Sequence, residues 1–481
     1  MKTAGASAAA LTLQNISGFA QISTGGRKKP NVLFFPVDDL RPQLGCFGHA
    51  QMISPTIDRL ASEGSLFRRA YCQVPVCGAS RASLLTGIRP TRGRFIDFYT
   101  KVDEDIPGAL TLPKHLRNNG YHTISNGKVF HHADDTLESW SEQPWRPKGE
   151  WVGRGYITDD NKKIALDTDY NGRGPAYEIA DVPDNAYPDG AIADKAIADL
   201  RRLKDMGKPF FLAAGFMKPH LPFNAPRKYW DLYRRENIDL ADNPFRPKGA
   251  PDAALHNWGE LRNYIGIPQE GPLSDDLART LIHGYYACVS YTDAQIGRVL
   301  AELDRLGLSD NTIVVLWGDH GWQLGEHGLW CKHCNFETSL HSPLLVRAPG
   351  FKGGNVTDAL TEYVDIFPSL SELCGFAVPE HLQGSSFVPL MQNPDTPWKK
   401  AAFSRYHDGD SIRTDRYRYT EWRRELTRVT YMPDVQSYAR MLYDHETDPM
   451  ENVNIAEFPE NKALVERLSM MLYDGWEAVR M

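Results

Sequence analysis

Several short polar clusters in this chain have residue types that could do chemistry together. Cys77-Gly78-Ala79-Ser80-Arg81 places a cysteine four residues before an arginine, with small residues between them. Ser83-Leu84-Leu85-Thr86-Gly87 follows with a helix-like apolar rhythm. A helix here aims its first backbone N–H groups and the positive end of its dipole at Cys77, which favours an anion. Asp38-Asp39 follows the apolar run Asn31 to Val37, and adjacent carboxylates of this kind supply the close oxygen ligands a hard cation needs. Asp319-His320 adds a third carboxylate and an imidazole after a second such run. Lys128, His131, His220 and Lys332 are basic and stand beside predicted strand ends or in the loop after Asp319. Together they are the clamp an anionic group requires. His220 is the histidine favoured for protonating a leaving oxygen.

The elements that must position these clusters are legible as alternating runs. Residues 31–37, 121–126, 209–216 and 311–317 are short and apolar, as buried strands are. Residues 54–64, 112–120, 191–206 and 277–306 carry helical signals, the last with Tyr285, Val289, Ile296, Val299 and Leu300 on one stripe. Strands alternating with helices predict an α/β fold with a mostly parallel sheet flanked by helices. Asp38-Asp39, Lys128/His131, Lys218/His220 and Asp319-His320 then all fall at strand ends, where open α/β sheets hold ligands. Leu66 to Tyr71 reads as a strand leading into the Cys77 loop, and 140–190 and 240–272 read as irregular excursions.

The chain has 481 residues, which suggests more than one folding unit. Residues 1–29 read as a leader, 30–400 as a catalytic domain, and 401–481 as a small C-terminal α+β subdomain. That last part alternates β-like segments at 411–422 and 440–443 with turns and closes on a helix over 461–479. The Ala-rich leader predicts export, hence a periplasmic or secreted bacterial protein; a disordered leader is the other reading. Net charge is −7, which excludes a general nucleic-acid footprint. No run of 18 apolar residues exists, so no membrane span is expected. Cys331 and Cys334 form a C-x-x-C without a second pair at zinc-site spacing, and read as structural or free thiols.

These segments resemble the type I sulfatases of the alkaline-phosphatase superfamily, in their iduronate-2-sulfatase-like branch. The likeness rests on Val37 to Pro42, Leu44 to Gly48, Cys77 to Pro90, Gly127 to His131, Lys218 to Phe223, Asp319 to Lys332 and Ser411 to Tyr419. It implies an alkaline-phosphatase-like fold and hydrolysis of sulfate monoesters on a carbohydrate, with a 2-O-sulfated uronate or another sugar from a sulfated polysaccharide as substrate. It implies that a sulfatase-maturating enzyme converts Cys77 to Cα-formylglycine, whose hydrate is the nucleophile, with Arg81 steadying it. Calcium is implied at Asp38, Asp39, Asp319 and His320, where most sulfatases have Asn in the last place. Sulfate contacts are implied from Lys128, His131, His220 and Lys332, and Trp322, His327, His132 and His333 are weaker candidates for the sugar pocket. Position 79 is Ala where the oxygen-dependent maturase prefers Pro, which is similar to substrates of the anaerobic radical maturase. The same superfamily offers a phosphodiesterase or phosphonate monoester hydrolase as an alternative, and a non-catalytic carbohydrate-binding relative is another.

Overall fold

The computed structural model describes residues 28–148, 155–167, 173–423 and 437–480. The leader, but for its last two residues, and parts of the 140–190 excursion lie outside the described residues. The main sheet has seven strands: β1 (Asn31–Val37), β2 (Ser65–Phe67), β3 (His122–Gly127), β4 (Phe210–Gly215), β5 (Thr312–Gly318), β6 (Leu344–Arg347) and β7 (Asn355–Thr357). Their spatial order is β7-β2-β6-β5-β1-β4-β3. β6 runs against both of its neighbours, and every other pair is parallel.

Both faces of the sheet are covered, which is why its central strands are almost wholly apolar and every position of β1, β4 and β5 is buried. Side chains alternate between the faces. Leu33, Phe35, Leu212, Val314 and Leu316 enter one core, and Val32, Phe34, Phe211, Ala213, Ile313 and Val315 enter the other. The helices that matter here are α1 (Pro55–Glu63), α2 (Cys77–Thr86), α3 (Pro188–Met206), α4 (Asp275–Arg305) and α5 (Lys462–Asp474). α3 and α4 bury their apolar stripes in the first core, and α2 is buried in the second. α4 starts before the predicted residue 277 because Ser274 accepts a hydrogen bond from Leu277 N, and Asp275 and Asp276 suit its first turn.

The predicted strand over Leu66 to Tyr71 is two strands. Ser65–Phe67 pairs with the main sheet, whereas Ala70–Tyr71 pairs with Thr361–Glu362. The chain changes partner at Arg68 and Arg69. The C-terminal part is a four-stranded antiparallel sheet of β8 (Ala401–Tyr406), β9 (Gly409–Thr414), β10 (Tyr417–Trp422) and β11 (Ala439–Asp444), in that order. α5 packs Val465 and Leu468 on its Ile412, Tyr419 and Leu442. The predicted last helix stops at Asp474, because Gly475 takes a φ of 75°; a short 3-10 turn, Trp476–Val479, follows. All seven cysteines are free thiols. Among the described residues no helix is long and apolar enough to cross a membrane.

Candidate active site

Sheet register brings the polar clusters to one line. β1 and β5 pair in step from Asn31 opposite Thr312 to Val37 opposite Gly318, so Asp38 and Asp319 leave the sheet side by side. The ladder continues one residue further: Asp319 N donates to Val37 O at 3.1 Å, and Asp38 N donates to Phe216 O at 3.1 Å. β3 ends with Gly127 opposite Gly215, and Lys128 N donates to Gly215 O at 2.9 Å. Glycine is required at both positions. A Cβ on Gly127, whose φ is +70°, would lie 2.2 Å from Gly215 O, and one on Gly215 would lie 2.1 Å from Lys128 O.

Cys77 is the first residue of α2, so it stands on the helix's N-terminal turn rather than in a loop ahead of it. Its Sγ lies 3.2 Å from His320 Nε2 and 3.9 Å from Asp39 Oδ1. Burial, and after it Asp38, pushes the thiol well above its ordinary range. An unmodified Cys77 is therefore a neutral thiol at neutral pH and a poor nucleophile. Asp39 has a φ of 59°, a strained value for a residue with a side chain. It is held there by its own N–H donating to Asp319 Oδ1 at 2.9 Å and by Tyr285 Oη donating to its carbonyl at 2.8 Å.

Arg81 is held by the carboxylates and by the Lys128 turn. Its Nε donates to Asp319 Oδ2 at 2.8 Å, Nη2 to Asp38 Oδ1 at 3.2 Å, and Nη1 to the carbonyls of Lys128 and Val129. This guanidinium, fully buried, fixes two acids and the Lys128 turn at once. Lys128 Nζ donates to Asp38 Oδ2 at 2.5 Å. Lys332 Nζ donates to Asp39 Oδ1 and Oδ2 at 2.9 and 3.2 Å. It lies over the Trp322 ring, 4.9 Å from the centroid. Cys331 and His333, on either side of Lys332, both have positive φ, a kink that turns the lysine inward. His220 places Nδ1 2.6 Å from Leu221 O, and Nε2 3.9 Å from Asp39 Oδ2. Lys218, the other base of that strand end, points away and donates to the carbonyls of His220 and Pro222, so it props the loop.

Burial raises Asp38, but Lys128, with His220 and Arg81, more than offsets this and holds it well below the usual carboxylate range. Asp39 is different. Burial pushes it up to about 7, with Lys332 pulling down and Asp38 pushing up again. It is a carboxylate short of positive charge. The ligand atoms of Asp38, Asp39, Cys77 and His220 lie within 4.8 Å of one another, as do those of Cys77, Asp319 and His320. Three carboxylates, two imidazoles and one sulfur thus converge, and the carboxylates supply the oxygen ligands that a hard divalent cation takes.

The weaker candidates divide. Trp322 is buried under Lys332, with its ring 6.5 Å from that of His220, and is a wall of the site. His333 reaches Glu260 Oε2 at 4.0 Å, and burial lowers it to about 3. His131 follows the Lys128 turn, and burial together with Lys128 lowers it well below its ordinary value. His132 is at the rim, 2.9 Å from Phe98 O. His327 is not brought to the site. It stacks on Phe336 at 4.1 Å and contacts Met450 O at 2.9 Å, on the side of the C-terminal sheet.

Sequence reasoning missed Glu260. Its Oε1 lies 3.1 Å from both Lys332 Nζ and His220 Nε2. It comes from the short helix Gly259–Arg262 in the loop-rich 240–272 stretch, and no spacing to another motif marks it.

A mostly parallel sheet with its ligands at the strand ends and a small antiparallel sheet behind places the chain among the alkaline-phosphatase-like hydrolases. It belongs to the sulfatase family. The family model described as Sulfatase matches residues 30–376, and that described as N-sulphoglucosamine sulphohydrolase, C-terminal, matches residues 325–477. The chain is 34% identical to iduronate 2-sulfatase of Homo sapiens, over 88% of this chain and 90% of that protein. Two solved structures share the fold at 24% identity. One, in complex with its substrate D-glucosamine-2-N,6-O-disulfate, has a TM-score of 0.72 over 93% of this chain and 99% of the other. The second, phosphonate monoester hydrolase from Silicibacter pomeroyi, has a TM-score of 0.76 over 94% of this chain and 96% of the other. The protein is an enzyme, and sulfate ester hydrolysis is its reaction.

Proposed function

We propose that the site removes sulfate from a sugar, with a 2-O-sulfated uronate as the first substrate class. The observation that carries this reading is the set of basic side chains, Lys128, His220 and Lys332, gathered around the carboxylates that face Cys77. Likeness to iduronate 2-sulfatase over nearly the whole chain supports the uronate. A rim suited to a sugar ring supports the carbohydrate. Phe98 and Tyr99, 47% and 69% exposed, lie with their rings 4.1 Å apart. Their loop packs on α2, so closely that a Cβ on Gly78 would lie 2.8 Å from Asp97 O.

Asp38, Asp39, Asp319 and His320 would hold calcium. A bound calcium would neutralise sulfate oxygens, and a formylglycine hydrate at position 77 would supply the nucleophilic oxygen that a buried thiol does not. Arg81 keeps Asp38 and Asp319 in place. Lys128, His131 and Lys332 bind the sulfate oxygens, and His220 protonates the departing sugar oxygen. Trp322 closes the floor against water. Cys77 is only 3% exposed and every residue of α2 is buried. The maturating enzyme must therefore reach the segment before the chain folds.

The test is a panel of defined sulfated disaccharides assayed for released sulfate. The reading requires release from 2-O-sulfated uronate ahead of 6-O- and N-sulfated glucosamine, and the reverse order overturns that substrate. Likeness in fold to a phosphonate monoester hydrolase makes a phosphonate monoester the control substrate. Faster turnover of that ester than of any sulfate would replace the reading.

A further inference from the structure

One turn of the C-terminal sheet reaches the rim of the active site. β8 and β9 are joined there through His407 and Asp408, and Arg405 N donates to Gln73 O at 2.8 Å, four residues before Cys77. Between this hairpin and the segment that follows α2 lies a cavity of about 100 Å³, lined by Arg92, Phe95, Ile96, Arg405, Tyr406 and Asp408 among others. Both of its walls run on into the site. On one side the stretch from Phe95 to Phe98 packs on Gly78, next to Cys77, where a Cβ would lie 3.0 Å from Phe98 Cα. On the other the Tyr406 ring stands 5.9 Å from that of His333, the neighbour of Lys332. A substrate seated at Cys77 and longer than one ring meets this cavity next.

The chemistry of the lining suits a ring that carries hydroxyls. Arg92 Nη1 donates to Asp408 Oδ1 at 3.1 Å and Nη2 to Asp410 Oδ2 at 2.9 Å, and Arg405 Nη2 lies 3.4 Å from Asp410 Oδ1. The guanidinium groups are paired with carboxylates, so the cavity does not call for an anion. It offers N–H donors and carboxylate acceptors side by side, and a sugar hydroxyl both donates and accepts. Beside them the surface is apolar. Phe95 is buried, and Ile96, Phe98 and Tyr99 leave three large apolar side chains in water within four residues. A cavity of this size is small beside the ~300–1,000 Å³ of sites that enclose their ligands, so it takes one edge of a ring.

We propose that this cavity is the subsite for the sugar next to the sulfated one, with Arg92, Ile96 and Asp408 as specificity-determining residues, and that the substrate is an oligosaccharide. This rests on the reading of the site as one that removes sulfate from a sugar. The neighbouring ring sets its hydroxyls on Arg92 and Asp408 and its C–H face on Ile96. No bond is made or broken in the cavity.

The experiment compares kcat/KM for a 2-O-sulfated uronate alone with that for the same ring joined to an unsulfated hexosamine at either end. Matured wild type, Asp408→Ala and Ile96→Ala are assayed for released sulfate. Wild type should prefer the better disaccharide by about tenfold or more. Asp408→Ala should lower that preference about tenfold, the effect of one hydrogen bond to a charged group, and Ile96→Ala about threefold. Both variants should stay within about twofold of wild type on the single sugar. No preference in wild type, a preference unchanged in both variants, or an equal loss on all three substrates overturns the proposal. Should Asp408→Ala fail to fold, Ile96→Ala decides alone, and an unchanged preference overturns the proposal. Failure of the sulfatase reading looks different: wild type then releases sulfate from none of the three, and the cavity loses its role with it.

Discussion

Two of the groups of charged side chains buried among the described residues are balanced in different ways. Around Glu362, Arg89 donates through Nη1 and Nη2 at 2.6 and 2.7 Å, and Phe403 N donates at 2.8 Å. Lys399 joins Glu362 to Asp365 at 2.6 Å each, and the other Asp365 oxygen accepts from Ser385 N at 2.8 Å. All four carboxylate oxygens have donors. Burial raises Glu362, but Arg89 and Lys399 overcome it and bring the acid down to about 2. At the sheet's ligand end the same ingredients leave Asp39 pushed up to about 7 and one oxygen of Glu260 without a hydrogen bond. In the first network every carboxylate oxygen is satisfied within the chain, although burial still raises Asp365 and Arg89 Nε has no hydrogen-bond partner among the described residues. The second leaves Asp39 and Glu260 less fully balanced by the described residues, as the proposed site for a cation and an anionic ester would require.

That contrast can be broken, and the largest effect belongs to the nucleophile. Cys77→Ala should lower sulfate release at least about 10⁴-fold, as loss of a nucleophile does elsewhere; a smaller loss would mean that position 77 is not where sulfur is attacked. Asp39→Asn should lower kcat/KM about 10²-fold or more. The chelated variant should melt no lower than chelated wild type, because the charge removed lacked a full counter-charge. Thermal melts in chelator check this, and a fall of several degrees would place Asp39 with the structural group.

Glu362→Gln should do the opposite. It strands Arg89 and Lys399 and should cost about 3–5 kcal/mol of stability, with turnover per folded molecule within a few-fold of wild type. The pH dependence follows from the sign of the shift. Glu362 is lower in the folded state than its ordinary 4.5. Its contribution is therefore full above about pH 4.5 and is lost as pH falls towards about 2. Urea melts across that window should show a shallower acid loss in the variant. Smallest is the linkage to metal. Calcium added to chelated protein at one hundred times its Kd should stabilise it by about 2.7 kcal/mol, and Asp39→Asn should abolish most of that gain.

Much of this was readable in advance, for a physical reason. Strands buried on both faces are uninterrupted apolar runs, so β1, β4 and β5 announce themselves, and parallel pairing sends their following residues to one edge. Asp38, Lys128, His220 and Asp319 could therefore be grouped before any geometry was known. What depends on a side chain's direction could not. Lys218 and His220 are two residues apart, yet only His220 faces the site, because Lys218 turns to carbonyls of its own loop. His327 looks as eligible as His333, yet it stacks on Phe336, whereas His333 reaches Glu260. Glu260 had no pattern at all; its meaning comes from where a short helix in a long excursion lands. β8 was missed because Ala401-Ala402-Phe403-Ser404-Arg405-Tyr406 has no clean alternation and is held by its pairing with β9.

Activity depends most directly on the chemical state of position 77. The decisive measurement is mass spectrometry of the Cys77 peptide alongside sulfate release, in preparations matured to different extents by an anaerobic radical maturase. Turnover per molecule should rise in proportion to the fraction of position 77 present as aldehyde and extrapolate to zero for the pure thiol. Equal turnover in thiol-only and aldehyde-rich protein, or no sulfate released by fully converted protein from any sulfated sugar, would contradict it.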